Sequence, residues 1–223
     1  MLDMYTYFGL LLLSLGCWAL KFRRLALPHK LLGAWLLVTA GLEGFTDFLL
    51  QRGTLHLSLS HMLIPVQYLL LAPVYYLSLK GPTVRAVILA SVPLFLLTVL
   101  LITLYRQTAA GFDTYARLLR DSLLAGWALL YFREVFQGLA VQRLEKEPMF
   151  WVSTGLLFYS LGNVCVDGMS RLLPQHPDLA LAVYYSSVFL RLSLQGTILV
   201  SFLIPHKQPS PLVYAKPSRM LFP

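Results

Sequence analysis

The sequence predicts an all-α fold, a polytopic membrane bundle of seven transmembrane helices, and three observations predict it. First, 57% of the 223 residues are hydrophobic and only 13% are charged, where a soluble domain carries about 25% charged and roughly 45–50% apolar residues. A soluble core of this size cannot hide so much apolar surface, because most of its exterior must still meet water. Second, the apolar residues gather into seven runs, each near the roughly 20 residues that a helix needs to cross a bilayer. Third, the basic residues sort to alternate connections between those runs.

The runs follow one another with short connections. The first extends from about Tyr5 to Leu20 and ends in Lys21-Phe22-Arg23-Arg24; the second follows Pro28 and covers Leu31 to Leu50. The third covers about Leu55 to Leu79 and stops at Lys80-Gly81-Pro82, and the fourth covers Val84 to Tyr105. The fifth, Thr114 to Phe136, is the least hydrophobic; the sixth, Met149 to Ser170, follows Pro148; the seventh, Leu179 to Ile204, stops at Pro205. They lack the alternation of barrel strands. In lipid, backbone groups must bond within the segment, so each run is expected to be helical. The first run lacks a positive n-region and a small-x-small cleavage site, so it reads as a retained helix and not as a signal peptide. The expected organisation is a membrane domain over 1–205 and a disordered, basic, proline-rich cytoplasmic tail over 206–223, with Pro209, Pro211, Pro217 and Pro223.

Charge supplies the orientation. Lys21, Arg23, Arg24, Lys30, Lys80, Arg85, Arg133, Arg143, Lys146, Lys207, Lys216 and Arg219 fall on one side of the predicted bundle, and Arg52, Arg106 and Arg171 on the other. Positive residues stay cytoplasmic, so the N-terminus is expected outside and the C-terminus inside, as an odd number of spans requires. The formal net charge of +8 is then a topology signal with attraction to anionic lipid headgroups. No nucleic-acid partner is called for. The lipid bilayer is the one partner that the composition demands, and the expected location is a membrane crossed several times.

Polar residues at membrane depth point to a site, because each costs roughly 2.5–3.5 kcal/mol at a helix centre on insertion scales and so tends to face the bundle interior. Glu43 and Asp47, Asn163 and Asp167, and Arg191 and Gln195 are each four apart, on one helix face. The third run adds His61, Gln67, Tyr68 and Tyr75, and the fifth adds Tyr115, Arg117, Arg120 and Asp121. In the predicted orientation most of these lie in the outer half. They are expected to form one polar cluster open to the outside, with carboxylates and arginines neutralising one another. The expected ligand-binding set is Glu43, His61, Gln67, Asp121, Asn163, Asp167, Arg191 and Gln195. Arg191 is the anion anchor, since its planar fork suits carboxylate or phosphate, and Glu43 is its partner. A purely structural alternative stands beside this one. Asp47, Arg117, Arg120 and Asp167 would then be interfacial residues reaching water, Arg117 and Asp121 an i,i+4 contact, and Glu43 and Arg191 a buried ion pair.

A faint internal repeat runs through the chain. Trp18-Ala19-Leu20 recurs as Trp127-Ala128-Leu129, and Phe22-Arg23 as Phe132-Arg133; Pro28, Glu43 and Asp47 meet Pro148, Asn163 and Asp167. Helices one to three would match helices five to seven in the same orientation, a 3+1+3 parallel repeat of the kind that builds some transporters. Pro65, Pro73 and Pro93 are candidates for kinks. Pro65-Val66-Gln67 lacks the adjacent Pro-Gln of PQ-loop proteins.

Several chemistries are argued down. All six lysines lie in connections or the tail, so no retinal Schiff base is expected. No HExxH, GxSxG or arginine ladder occurs, and Cys17 and Cys165 have no metal spacing. Neither enzymatic activity nor a cofactor or metal is expected.

The run PMFWVSTGLLFYSLGN from Pro148 to Asn163, the start Tyr115-Ala116-Arg117, the Glu43 position and the His61 region with Gln67 resemble seven-helix integral membrane proteins of Bacteroidetes-type bacteria. They are similar to the membrane modules that precede some sensor histidine kinases. The resemblance implies a sensory role, although Gln67 and Arg191 stand where an acidic and a small polar residue would be expected. The expected function is therefore a sensor or receptor-like module whose outward pocket takes a small anionic ligand, a lipid headgroup or protons and signals to a separate cytoplasmic partner. A small-solute or lipid transporter is the alternative, and a structural or assembly role is a further one.

Overall fold

The computed structural model describes residues 2–52, 58–105, 109–137, 144–170 and 179–204. Among the described residues there are seven α-helices and no strands: α1 (Leu2–Lys21), α2 (Leu27–Gln51), α3 (Ser58–Ser78), α4 (Pro82–Tyr105), α5 (Ala109–Gln137), α6 (Pro148–Ser170) and α7 (Leu179–Leu203). The basic stretch Phe22–Arg24 is a single 3₁₀ turn between α1 and α2. Pro82 and Pro148 each occupy the first position of a helix, where a missing N–H costs nothing and the fixed φ is already helical. Pro65 and Pro73 lie inside α3 and Pro93 inside α4, without ending either helix. The predicted tail after Pro205 lies outside the described residues.

Four helices are long and apolar enough to cross a membrane, over Tyr5–Arg24, Pro82–Ile102, Pro148–Met169 and Ala180–Leu203. The other three do not meet that measure. In α3 the apolar stretch is the shorter Leu63–Ser78. Helix α2 carries Glu43 and Asp47, and α5 carries Arg117, Arg120 and Asp121. The flanks of the bundle are rich in exposed leucine, including Leu12, Leu13 and Leu20 on α1 and Leu89, Leu94, Leu97 and Leu100 on α4. A contiguous apolar exterior of this kind suits lipid.

Six helices form a ring in the order α1, α2, α3, α5, α6, α7, and α7 closes it against α1; α4 packs mainly on α3 and α5. Neighbour contacts fix the directions. Tyr7 near the start of α1 meets Glu43 near the end of α2, Lys21 at the end of α1 meets the end of α7, and Gln67 meets Arg120 midway along α3 and α5 while Lys80, just past α3, meets Glu134 near the end of α5. The odd-numbered ring helices therefore run one way and α2 and α6 the other.

The most extensive seam joins α6 to α7, and glycine makes it close. A Cβ on Gly155 would overlap the Thr197 side chain, and one on Gly162 would overlap Leu190. Small residues let helix backbones approach where no hydrophobic effect drives them together. Buried aromatic side chains join α3 to α4 and α5, and Tyr75 and Trp127 among them fill the ring toward the end where the odd helices finish. Tyr68 packs between Phe95 and Trp127, with centroids 4.2 and 4.6 Å away, and Tyr75 lies 5.8 Å from Trp127. The Tyr68 hydroxyl donates to Ser91 Oγ at 2.9 Å and the Tyr75 hydroxyl to Ser153 Oγ at 3.2 Å, so their polar tips are satisfied. Two clasps lie at this same end. Lys21 Nζ donates to the carbonyls of Phe202 (2.9 Å) and Leu203 (3.2 Å), and Glu134 accepts the backbone N–H groups of Lys80 (2.6 Å) and Gly81 (3.3 Å).

Candidate functional site

A cavity of about 350 Å³ occupies the other half of the ring, where α1, α3, α5 and α7 begin. Its wall takes side chains from all six ring helices and none from α4. The placement follows from helical repeat. Trp35, Thr39 and Glu43 on α2, Tyr159, Asn163 and Asp167 on α6, and Ser187, Arg191 and Gln195 on α7 are each spaced by four, which keeps them on one face. Leu63, Gln67 and Leu71 do the same on α3, and Arg117, Arg120 and Leu124 line the α5 side.

The wall holds three arginines and two carboxylates. Arg117 Nε lies 3.6 Å from Asp167 Oδ2, a pair that joins α5 to α6 and is partly open to solvent. Arg120 is 7% exposed and Asp121 is 1% exposed. Arg120 Nε donates to Asp121 Oδ1 at 2.8 Å, and its Nη1 donates to Gln67 Oε1 at 2.8 Å, which ties α5 to α3. The Tyr7 hydroxyl donates to Glu43 Oε2 at 2.8 Å. Arg191 differs from the other two arginines: it is exposed along the cavity wall and has no ion pair or hydrogen bond among the described residues. One turn further on, Gln195 is buried, and its Nε2 has no hydrogen-bond partner among them; Thr39 Oγ1 and Trp35 Nε1, on α2, are likewise unsatisfied.

Of the predicted site residues, Glu43, Gln67, Asn163, Asp167, Arg191 and Gln195 all line this one cavity. Asp121 stands behind the wall and holds Arg120 in place. His61 falls on α3, but its side chain lies outside the described residues, as does that of Asp47. Two pairings offered by the structural alternative take other partners. Arg117 does not pair with Asp121 one turn along its own helix. The antiparallel α6 brings Asp167 level with Arg117, and Asp121 is taken by its neighbour Arg120. Nor is a Glu43–Arg191 ion pair found among the described residues, where Tyr7 of α1 donates to Glu43. Sequence reasoning missed Tyr7, Trp35, Thr39, Tyr159 and Ser187. Stepping four residues outward from each polar pair would have reached Thr39, Tyr159 and Ser187.

Among the described residues no group of three or more His, Cys, Asp or Glu side chains is placed to hold a metal ion. The groups still able to bond are chiefly donors: the Arg191 guanidinium, the Gln195 amide, the Trp35 indole and the Thr39 hydroxyl. Such a wall is chemically suited to an acceptor-rich, negatively charged molecule. Comparison with known proteins finds no matching family model, no matching curated protein and no matching solved structure.

Proposed function

We propose that this chain is a receptor-like module of a bacterial cytoplasmic membrane, with seven membrane-crossing helices and the N-terminus outside. It holds a small anionic ligand in its outward cavity and passes a helix shift to a separate cytoplasmic partner. The observation that carries this reading is Arg191, a guanidinium on the wall of a 350 Å³ cavity without a counter-ion among the described residues. The other two cavity arginines already have carboxylates. A ligand carboxylate or phosphate would supply the missing charge through a bidentate contact, and the volume falls in the range of small-molecule sites.

The same geometry offers a route for a signal. An anion on Arg191 draws on α7, and Asn163 of α6 lies on the same wall. Helix α7 runs from there to Phe202 and Leu203, where Lys21 of α1 holds its last carbonyls. A displacement at one end of that rigid element reaches the other end, which in this reading lies in the cytoplasm. Tyr75 and Trp127, both buried, fill the ring below the cavity, which favours signalling over a continuous pore.

The ring order supports a transporter as the second reading. Helices α1–α2–α3 and α5–α6–α7 follow one another in the same sense, α3 meets α5 as α7 meets α1, and α4 links the halves from outside. That is the contact pattern of a 3+1+3 parallel repeat, whose substrate sites lie between the halves.

The test uses the purified chain in lipid nanodiscs, with melting followed against phosphate, acetate and succinate. An anion at about 100 times its Kd should stabilise the fold by roughly 2.7 kcal/mol, and Arg191→Gln should abolish that gain. Failure of every anion to stabilise the wild type would reduce the cluster to a structural ion-pair network. Accumulation of a stabilising anion inside proteoliposomes would move the assignment to transport.

A further inference from the structure

The cavity has two zones, and the second one says more about the ligand than its charge. Leu36, Leu71, Leu124, Leu156 and Leu194, one from each of α2, α3, α5, α6 and α7, all line it and all are buried. They share a level. Leu36 lies seven residues along α2 from Glu43, Leu156 seven along α6 from Asn163, and Leu124 seven along α5 from Arg117. At 1.5 Å per residue each spacing is about 10 Å, two helical turns. Arg191 stands between these layers, three residues from Leu194, or about 4.5 Å. The five leucines form a floor, and beneath it the plug of Tyr75 and Trp127 closes the ring.

We infer that the ligand is a small monocarboxylate with a compact apolar body, held by its carboxylate on Arg191 and inserted body-first onto the leucine floor. This rests on the anion-site reading above and adds the class of anion. A phosphate or a dicarboxylate would satisfy Arg191 and leave the floor against water or against a second charge. An alkyl or aryl carboxylate matches both zones at once. The enclosed floor also sets a length limit. A body a few carbons long reaches from Arg191 to the leucines, whereas a long fatty chain has nowhere to go past Trp127, so the acid comes from the aqueous side and not from the bilayer.

The experiment measures the affinity of the full chain in nanodiscs for acetate, butyrate, hexanoate, octanoate and palmitate, with phosphate and succinate as polar controls. Between acetate and hexanoate affinity should rise about four-fold per methylene, as expected from ~0.8 kcal/mol for each buried CH₂, and it should stop rising or fall at octanoate or palmitate. Leu156→Ala should move that limit to a longer acid, a gain that misfolding could not produce. Equal affinity for acetate, phosphate and hexanoate would overturn the inference and leave the anion site standing. So would affinity that climbs without limit to palmitate, which would place the ligand in lipid. Binding of none of these by a chain that melts normally would remove the anion site and this inference together.

Discussion

Replacing Arg120 by methionine should be the most costly single change at the cavity. The arginine is 7% exposed and Asp121 is 1% exposed. Nε and Oδ1 are 2.8 Å apart, Nη1 reaches Gln67, and the second carboxylate oxygen of Asp121 has no hydrogen-bond partner among the described residues. Arg120→Met leaves that carboxylate buried without its cation, and breaking one side of a buried pair costs about 3–5 kcal/mol. Removing both charges is a different perturbation. A well-packed apolar pair of similar volume is often neutral, so Arg120→Met with Asp121→Leu should recover to within about 1 kcal/mol of the wild type. The four proteins form a double-mutant cycle, read by equilibrium unfolding of the purified chain in mixed micelles, and the expected coupling is at least about 2 kcal/mol. A single variant costing under about 1 kcal/mol, with the double variant simply additive, would mean that water reaches Asp121 and that the pair is an ordinary solvated contact.

Two further outcomes test the packing. Gly155→Val should destabilise the bundle by about 1–3 kcal/mol, because the new side chain overlaps Thr197 across the α6–α7 seam; Gly126→Ala, where a Cβ meets nothing within 4 Å, should be neutral or stabilise by up to about 1 kcal/mol, both read as shifts in unfolding midpoint. Lys21→Met removes both side-chain bonds to the last carbonyls of α7 and should cost about 1 kcal/mol, with amide exchange rising at the end of α7 and not around the cavity.

Much of this molecule was legible before any coordinates. Run length and proline position placed all seven helices, with Pro82 and Pro148 marking starts and Lys21 and Ser78 close to ends. The cavity side chains were legible wherever two of them sat four apart, as with Asn163 and Asp167 or Arg191 and Gln195. The failures share one cause. Pairing between helices depends on ring order, which the chain does not display. That α1 stands between α2 and α7 decided that Glu43 meets Tyr7, and that α6 runs against α5 decided that Arg117 meets Asp167. Helix α5 shows the same logic in reverse. It read as the least hydrophobic run, yet Ala116, Arg120, Asp121, Leu124, Trp127 and Ala128 are all buried. A helix packed on α3, α4 and α6 meets little lipid, so its composition need not be apolar all round. Tyr7 was invisible for a different reason: a lone tyrosine in an apolar run carries no periodic signal.

The seam between α1 and α7 also bears on how the protein is made. The hydrogen bond from Lys21 to Phe202 spans 181 residues, so the first helix synthesised finds one of its two ring neighbours last of all. Until α7 arrives, α1 can rest only on α2, with which its contact is slighter than with α7, and Glu43 must keep its Tyr7 bond on an open edge. The nascent chain therefore passes through an unclosed arc of helices whose cavity wall is open on one side. Ring closure is then the step at which a membrane chaperone, or a truncation that removes α7, would have its largest effect on yield.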